Sequence, residues 1–203
     1  AWRQRQALRV GHAHLDRPLA FEAHIPFADL VGRTDGLLCL TGAADGALTR
    51  MLAQGQGAAA ADYCERLQAL FPDRLYIELA RRGNAVEDAA ESALIDLAYA
   101  RDLPLVATNP ACYAEPNFHQ AHDAMLCIAD GAYVESTDRR RSDPQSWIKT
   151  DRAMREAFID LPEAMANTLV IAQRCAVLAP KRKPILPSLA GDLEGEAAQL
   201  RAD

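Results

Sequence analysis

The sequence has no long hydrophobic run. Half of its 203 residues are hydrophobic, but no apolar stretch approaches the roughly 20 residues that a membrane-spanning helix needs. The N-terminal stretch AWRQRQALRV also lacks the apolar core of a secretion signal. We therefore expect a cytoplasmic protein of one domain, with a second small unit possible and no membrane partner.

An excess of positive charge is missing as well, since the formal net charge is −6. A domain that holds nucleic acid by itself usually shows a basic excess, so direct DNA or RNA binding by most of this surface is not expected. The 5 cysteines are odd in number, widely spaced and without a CxxC pair. This favours reduced thiols and gives no support to a zinc site. A glycine-rich phosphate loop is also absent from the sequence.

The sequence does contain three short apolar runs, at residues 37–41, 75–79 and 104–108. Runs of this length between turn residues predict buried strands of a parallel sheet. Helical patterns surround them, at residues 27–31, 48–53, 58–71, 84–101, 117–130, 151–158 and 160–176. The alternation predicts right-handed βαβ crossovers and an α/β fold. In such folds ligands bind at the loops that follow the strands, which directs attention to residues 108–113.

Helix caps and faces give finer predictions. Asn84 with Glu87, and Asp160 with Glu163, have the spacing of a capping box. Two apolar stripes are predicted, one over residues 58–71 and one over 117–130. Their members are Ala59, Tyr63, Leu67 and Leu70 in the first, and Phe118, Ala121, Met125, Ile128 and Ala129 in the second.

The histidines allow two interpretations each. His12 and His14 could chelate a metal if they lay on a strand, because alternate residues share a face. On the helix predicted over residues 2–16 they diverge by about 200°, as two surface histidines. His119, His122 and Asp123 fall on one helix, where His119 and Asp123 could pair. A metal site and a packing or hydrogen-bonding role are the alternatives there.

Two basic runs are candidates for contact with a phosphate or with an acidic patch of a partner. One is Arg139, Arg140 and Arg141, and the other is Lys181, Arg182 and Lys183. The alternative for each run is a solvated charged surface.

The termini suggest a piece of a longer protein. The chain begins at Ala1 without an initiator methionine and stops at Asp203 in what resembles the start of a helix. Three parallel strands also make a thin sheet. If preceding strands are missing, the strand over 37–41 should have an exposed edge and apolar face, and the chain should self-associate.

Four stretches, in order, resemble the alpha subunits of bacterial DNA polymerase III. They are GLLCLTGAADGAL (36–48), LFPDRLYIELARRG (70–83), LPLVATNPACY with AHDAMLCI (103–128), and LPEAMANTLVIAQRC (161–175). The resemblance implies that residues 1–180 are the C-terminal two-thirds of a PHP domain, a distorted β/α barrel whose first strands are absent here. Residues 181–203 resemble the linker and the start of the polymerase palm.

The resemblance also implies a degenerate metal site. Metal-binding members of this family hold cations at the C-terminal ends of the strands, with ligands from a sequence of the type ATND-x-HY. Here Asn109 is kept, Pro110 replaces the Asp and Cys112 replaces the His, while Glu78 matches and Arg82 replaces another family histidine. Proline offers no side-chain ligand and arginine brings a fixed positive charge. We therefore expect neither a bound metal nor a catalytic residue in this chain.

By resemblance, the parent protein is a DNA-directed DNA polymerase of DNA replication, a nucleotidyltransferase with Mg²⁺ in a polymerase site downstream of Asp203. This part would then act as a scaffold and dock the proofreading exonuclease subunit, alongside other holoenzyme subunits. DNA would be contacted through the full-length protein, and no cofactor is expected in this part. The alternatives are a metal-dependent PHP phosphoesterase or 3′–5′ exonuclease, and an independent small regulatory protein.

Overall fold

The computed structural model describes residues 26–178, 181 and 192–202. The helix predicted over residues 2–16, with His12 and His14, lies outside the described residues, and so do Arg182 and Lys183. The chain divides into two compact units, Ala1–Ala172 and Gln173–Asp203. Within the described ranges, no helix is both long enough and apolar enough to cross a membrane.

A parallel three-stranded sheet organises the first unit. Its strands are β1 (Cys39–Leu40), β2 (Leu75–Ala80) and β3 (Leu105–Thr108), in the order β1-β2-β3. Cys39 lies opposite Leu75 on β2, and Ile77 lies opposite Leu105 on β3. All three predicted strands are confirmed, and with them the α/β fold class.

β1 is shorter and more exposed than the sequence predicts. Its backbone pairs with β2 through Cys39 N and Thr41 N, and then Gly42 turns the chain with φ +78. Leu40 is 37% exposed. The prediction that residues 37–41 form a buried strand is therefore wrong at Leu40. The reason is that β1 lies at the edge of the sheet within the described residues.

The predicted helices of the first unit are confirmed with small shifts at their ends. They are α1 (Phe27–Leu30), α2 (Ala47–Ala53), α3 (Gly57–Leu70), α4 (Ala85–Ala100), α5 (His119–Asp130), α6 (Asp151–Ala157) and α7 (Pro162–Arg174). A 3₁₀ turn, Pro116–Phe118, precedes α5, and α8 (Leu193–Ala202) belongs to the second unit.

The core surrounds β2, whose residues are all buried except the half-buried Glu78. Its fully buried members include Leu48 from α2, Cys64 from α3 and Ile77 from β2. Each fully buried aliphatic side chain of this kind contributes about 1.5–3 kcal/mol.

Two predicted helix faces are corrected by the structure. In α3 the buried residues are Ala60, Cys64 and Leu67, so the stripe is displaced from the exposed Ala59. In α5 the predicted stripe is on the solvent side, where Ile128 is 82% exposed. The inner side of α5 instead carries the buried Cys127 together with polar residues, because its histidines and Asp123 bind a neighbouring loop.

The capping predictions hold only in part. Asn84 caps α4, since its side chain accepts a hydrogen bond from Val86 N at 3.0 Å. The carboxylate of Glu87 turns away from the cap and binds Arg82. The Asp160 carboxylate likewise binds Arg81, at 2.6 and 2.8 Å. In both cases the carboxylate forms charge-assisted hydrogen bonds with an arginine.

Candidate functional site at the carboxyl ends of the strands

The loop after β1 brings backbone amides to the carboxyl end of the sheet. Gly42 N donates to Glu78 Oε2 at 3.1 Å, and Ala44 N donates to Glu87 Oε1 at 3.2 Å. This turn requires glycine at its end, because a Cβ on Gly46 would lie 2.3 Å from Gly42 O. The loop 42–46 therefore supplies fixed donors to two glutamates of other elements.

Glu78 joins the ends of all three strands. Its Oε1 accepts a hydrogen bond from Thr108 Oγ1 on β3 at 2.6 Å, while its Oε2 accepts from Gly42 after β1. Its own amide donates to Thr41 Oγ1 at 2.9 Å. Both carboxylate oxygens of Glu78 are thus used within the protein.

Arg82 is buried just beyond the end of β2 and lies between two carboxylates. Its Nε donates to Glu87 Oε1 at 2.9 Å, its Nη2 donates to the same oxygen, and its Nη1 lies 3.3 Å from Asp143 Oδ2. Burial alone would lower the pKa of Arg82, but the hydrogen bond and charge of Glu87, with the charge of Asp143, raise it overall. Arg82 is therefore a fixed cation at this edge of the sheet.

Asn109 is engaged by the segment that precedes α6. Its Nδ2 donates to Trp147 O at 2.8 Å, and its Oδ1 accepts from Lys149 Nζ at 3.0 Å. The Lys149 ammonium also donates to Gln145 O. Burial, followed by the charge of Arg82, lowers the pKa of Lys149. We call Glu78, Arg82, Glu87, Asn109, Asp143 and Lys149 the strand-end cluster.

Pro110 and Cys112 lie at the exposed rim of this cluster. The Cys112 thiol is 3.8 Å from Pro110 O, and Cys112 N donates to Ser146 O at 2.7 Å. The neighbouring Tyr113 is buried, and its hydroxyl donates to Asp143 O at 2.7 Å. The loop after β3 is thus bound to residues 143–149 mainly through backbone atoms.

The cluster does not fit the divalent cations that metal-binding members of the resembled family hold at their strand ends. Glu78 and Glu87 accept hydrogen bonds on both oxygens, and Asn109 is bound through both ends of its amide. A divalent cation here would also be repelled by Arg82 and by Lys149. In the described part of the chain, no group of three or more His, Cys, Asp or Glu residues is arranged to hold a metal ion.

A second polar cluster lies between α5 and the loop 139–142. His119 Nε2 is 3.0 Å from Ser142 O, and His122 Nδ1 is 2.7 Å from Ser142 Oγ. Asp123 accepts from Arg139 at 2.9 and 2.6 Å, and these hydrogen bonds hold the pKa of Asp123 well below its usual range. His119 and Asp123 thus bind the loop rather than each other. These contacts favour the hydrogen-bonding interpretation.

The two basic runs separate into buried and exposed members. The Arg139 side chain is only 2% exposed and is ion-paired with Asp123, so it is not a solvated charge. Arg140 pairs with Asp130 at 2.9 Å on the surface, and Arg141 donates to Ser136 O. Lys181 is exposed. The predicted contact with a phosphate or a partner now depends on these exposed members and stays a prediction.

Sequence reasoning missed three members of the strand-end cluster, namely Glu87, Asp143 and Lys149. The sequence pattern assigns Glu87 to a helix cap, and Asp143 and Lys149 lie in an irregular segment without periodicity. The available signal was Arg82 itself, because a buried arginine needs carboxylate partners. Only the fold shows which carboxylates they are.

No family model matches this sequence. Curated relatives named DNA polymerase III subunit alpha do match it, from several bacteria. The relative from Caulobacter vibrioides is 45% identical over 189 residues, which is 93% of this chain and 16% of that protein. The relative from Rickettsia prowazekii is 34% identical over 81% of this chain, and the one from Escherichia coli K12 is 35% identical over 82%. The chain spans only 14% to 16% of the length of these relatives.

Proposed function

This chain is a homologue of one part of the bacterial DNA polymerase III alpha subunits, and on that premise we propose that it is a PHP-type scaffold within such a subunit. In this proposal it has no hydrolytic activity of its own. It supports the polymerase and docks a proofreading exonuclease subunit. DNA synthesis and Mg²⁺ then belong to the polymerase part of the whole subunit, and DNA is contacted through the full-length protein rather than mainly through these 203 residues.

The non-catalytic part of the proposal is supported chiefly by the state of the strand-end carboxylates. Glu87 is 4% exposed and is neutralised by Arg82, while Glu78 binds the ends of β1 and β3. A hydrolytic centre needs ligands or bases that are free to reach a substrate. In this cluster the same groups instead connect elements of the fold.

A hydrolysis assay tests this half of the proposal. The purified chain would be incubated with bis-p-nitrophenyl phosphate, and separately with 3′-ended single-stranded DNA, in Mn²⁺, Zn²⁺ or Fe²⁺. We expect no release above a protein-free blank. The control is Glu78→Gln, which removes one carboxylate of the cluster while keeping its size.

Hydrolysis by the original chain that Glu78→Gln abolishes, at an unchanged Tm, would establish the metal-dependent phosphoesterase or exonuclease alternative. Hydrolysis that persists in Glu78→Gln and appears equally in a mock preparation without the chain indicates a contaminating enzyme. Hydrolysis that persists but is absent from the mock preparation would contradict the scaffold proposal.

The docking half is tested separately by mixing the chain with a bacterial polymerase III proofreading exonuclease subunit. Size-exclusion chromatography with light scattering should show a stoichiometric complex. Two separate peaks at micromolar concentrations of both proteins would contradict docking through this chain.

A further inference from the structure

Arg82 lies where the turn after β2 meets the segment 142–149. Besides the guanidinium contacts to Glu87 and Asp143, the backbone of Arg82 forms hydrogen bonds with Glu87 and with Gln145. Arg82 N donates to Glu87 Oε2 at 3.3 Å, and Gln145 N donates to Arg82 O at 2.9 Å. A single residue therefore connects the first turn of α4 with a segment far along the chain.

The surrounding geometry holds that segment close to the turn. Gly83 has φ +74, and a Cβ at this position would lie 2.9 Å from Pro144 Cγ. Asn84 Nδ2 also donates to Asp143 Oδ1 at 3.0 Å. Residues 143–145 are thus held by the close approach of Gly83, by a hydrogen bond from Asn84 and by the ion pair with Arg82.

The charges at this point require compensation. The Glu87 side chain is 4% exposed and that of Asp143 is 22% exposed. A buried carboxylate without a partner is strongly unfavourable. In many metal sites a divalent cation meets this need by bridging two carboxylates. The planar guanidinium of arginine can do the same, since it carries donors on several sides.

We propose that Arg82 acts as a resident cation, whose guanidinium bridges Glu87 and Asp143 as a bound metal ion would and so fixes the segment 142–149 on the end of β2. The strand ends are then ordered without any metal. This role is independent of the proposed scaffold function, because it concerns how this chain holds its own loops.

The test is chemical rescue in the 203-residue chain. Arg82→Ala should lower the Tm by about 10 °C, because it leaves a buried carboxylate unpaired. Trp147 lies in the held segment and accepts a hydrogen bond from Asn109 through its carbonyl. In a Trp2→Phe background, which leaves Trp147 as the sole tryptophan, its emission should shift to longer wavelength.

Guanidinium chloride at about 20 mM, far below denaturing concentrations, should then refill the site. We expect it to raise the Tm of Arg82→Ala by several degrees and to move the Trp147 emission back. NaCl at equal ionic strength should do neither, and the original chain should not respond. Arg152→Ala is the matched control, since Arg152 is exposed and pairs only with Glu156 among the described residues. The Tm of Arg152→Ala should equal that of the original chain and should not change when guanidinium chloride is added.

The proposal would be overturned if guanidinium restored neither the Tm nor the Trp147 emission of Arg82→Ala. It would also be overturned if Arg82→Ala had an unchanged Tm. A rise in Tm of the original chain with Mn²⁺ or Zn²⁺ would also overturn it. If Arg82→Ala does not fold, Arg82→Lys keeps the charge and loses the planar fork. Its Tm should fall by a smaller amount, and a Tm equal to that of the original chain would refute the bridging role.

Discussion

Ser146 carries a hydroxyl whose partner is missing among the described residues. Its Oγ is buried without a hydrogen bond, although its backbone carbonyl accepts from Cys112 N. A buried unsatisfied hydroxyl costs roughly 1–3 kcal/mol. We therefore expect Ser146→Ala to raise the free energy of unfolding by about 1 kcal/mol in urea denaturation. A loss of stability would mean that the hydroxyl has a partner after all, such as a buried water.

Asp160 should make stability depend on acid pH. The hydrogen bond from Arg81 lowers the pKa of Asp160 from 3.8 to about 2. Because the folded pKa lies below the unfolded one, this contribution is present above about pH 4 and is lost as the pH falls through 2. The Asp160 side chain is 56% exposed, so screening limits the contribution to about 0.5–1 kcal/mol.

Asp160→Asn tests this directly. It should destabilise the chain at pH 7, and the difference from the original chain in urea denaturation should shrink as the pH falls towards 2 and vanish only below it. Asp151→Asn is a suitable comparison for an exposed ion pair within one helix, because Asp151 pairs with the exposed Arg155 of the same helix. A difference between original chain and Asp160→Asn that is equal at pH 7 and pH 2 would contradict the ion-pair explanation.

At the scale of elements, the loss of an apolar side chain should lower the free energy of unfolding much more in α4 than in α5. Leu94 of α4 is 3% exposed and belongs to the core, whereas Ile128 of α5 is 82% exposed. Leu94→Ala should cost about 2–5 kcal/mol through the cavity that it leaves. Ile128→Ala should change the free energy of unfolding by less than about 0.5 kcal/mol. Similar losses for both variants in urea denaturation would show that the α5 face is covered in solution.

The same two helices show what the sequence could and could not predict. Periodicity located both helices, and Asn84 marks the start of α4 correctly. The buried face of α5 was not predictable from apolar spacing, because Asp123 and the two histidines bind a loop that follows in the chain. A stripe of apolar residues indicates a helix, but polar partners from elsewhere decide which side faces inward.

The strand-end cluster shows the same limit for site prediction. Glu78, Arg82 and Asn109 could be named before the structure only through the family resemblance, whereas the residues alone pointed to the loop after the third strand. Asp143 and Lys149 could not be named, since they reach the cluster through an irregular segment without a pattern. Pairing between distant charges follows from the fold, so the ion pairs of Arg82 with Glu87 and Asp143 could be found only in the structure.

At the scale of the whole molecule, the edge of the sheet should control self-association. Cys39 N and Thr41 N donate to β2, so by alternation the amide of Leu40 points away from the sheet. The Leu40 side chain is 37% exposed beside it. An exposed apolar edge of this kind can pair with the edge of another copy. We expect the average mass in light scattering to rise with concentration in the micromolar range.

Leu40→Lys should suppress this association, because a charge on an edge strand opposes pairing with another chain. Ile128→Lys is the control, since it places the same charge on an exposed apolar residue of α5, away from the edge strand. If the edge is responsible, Leu40→Lys gives a monomer at all concentrations and Ile128→Lys associates like the original chain. Suppression by Ile128→Lys alone would instead locate the contact on α5. A monodisperse monomer of the original chain would show that the edge of β1 is already protected in solution. It would therefore contradict self-association through this edge.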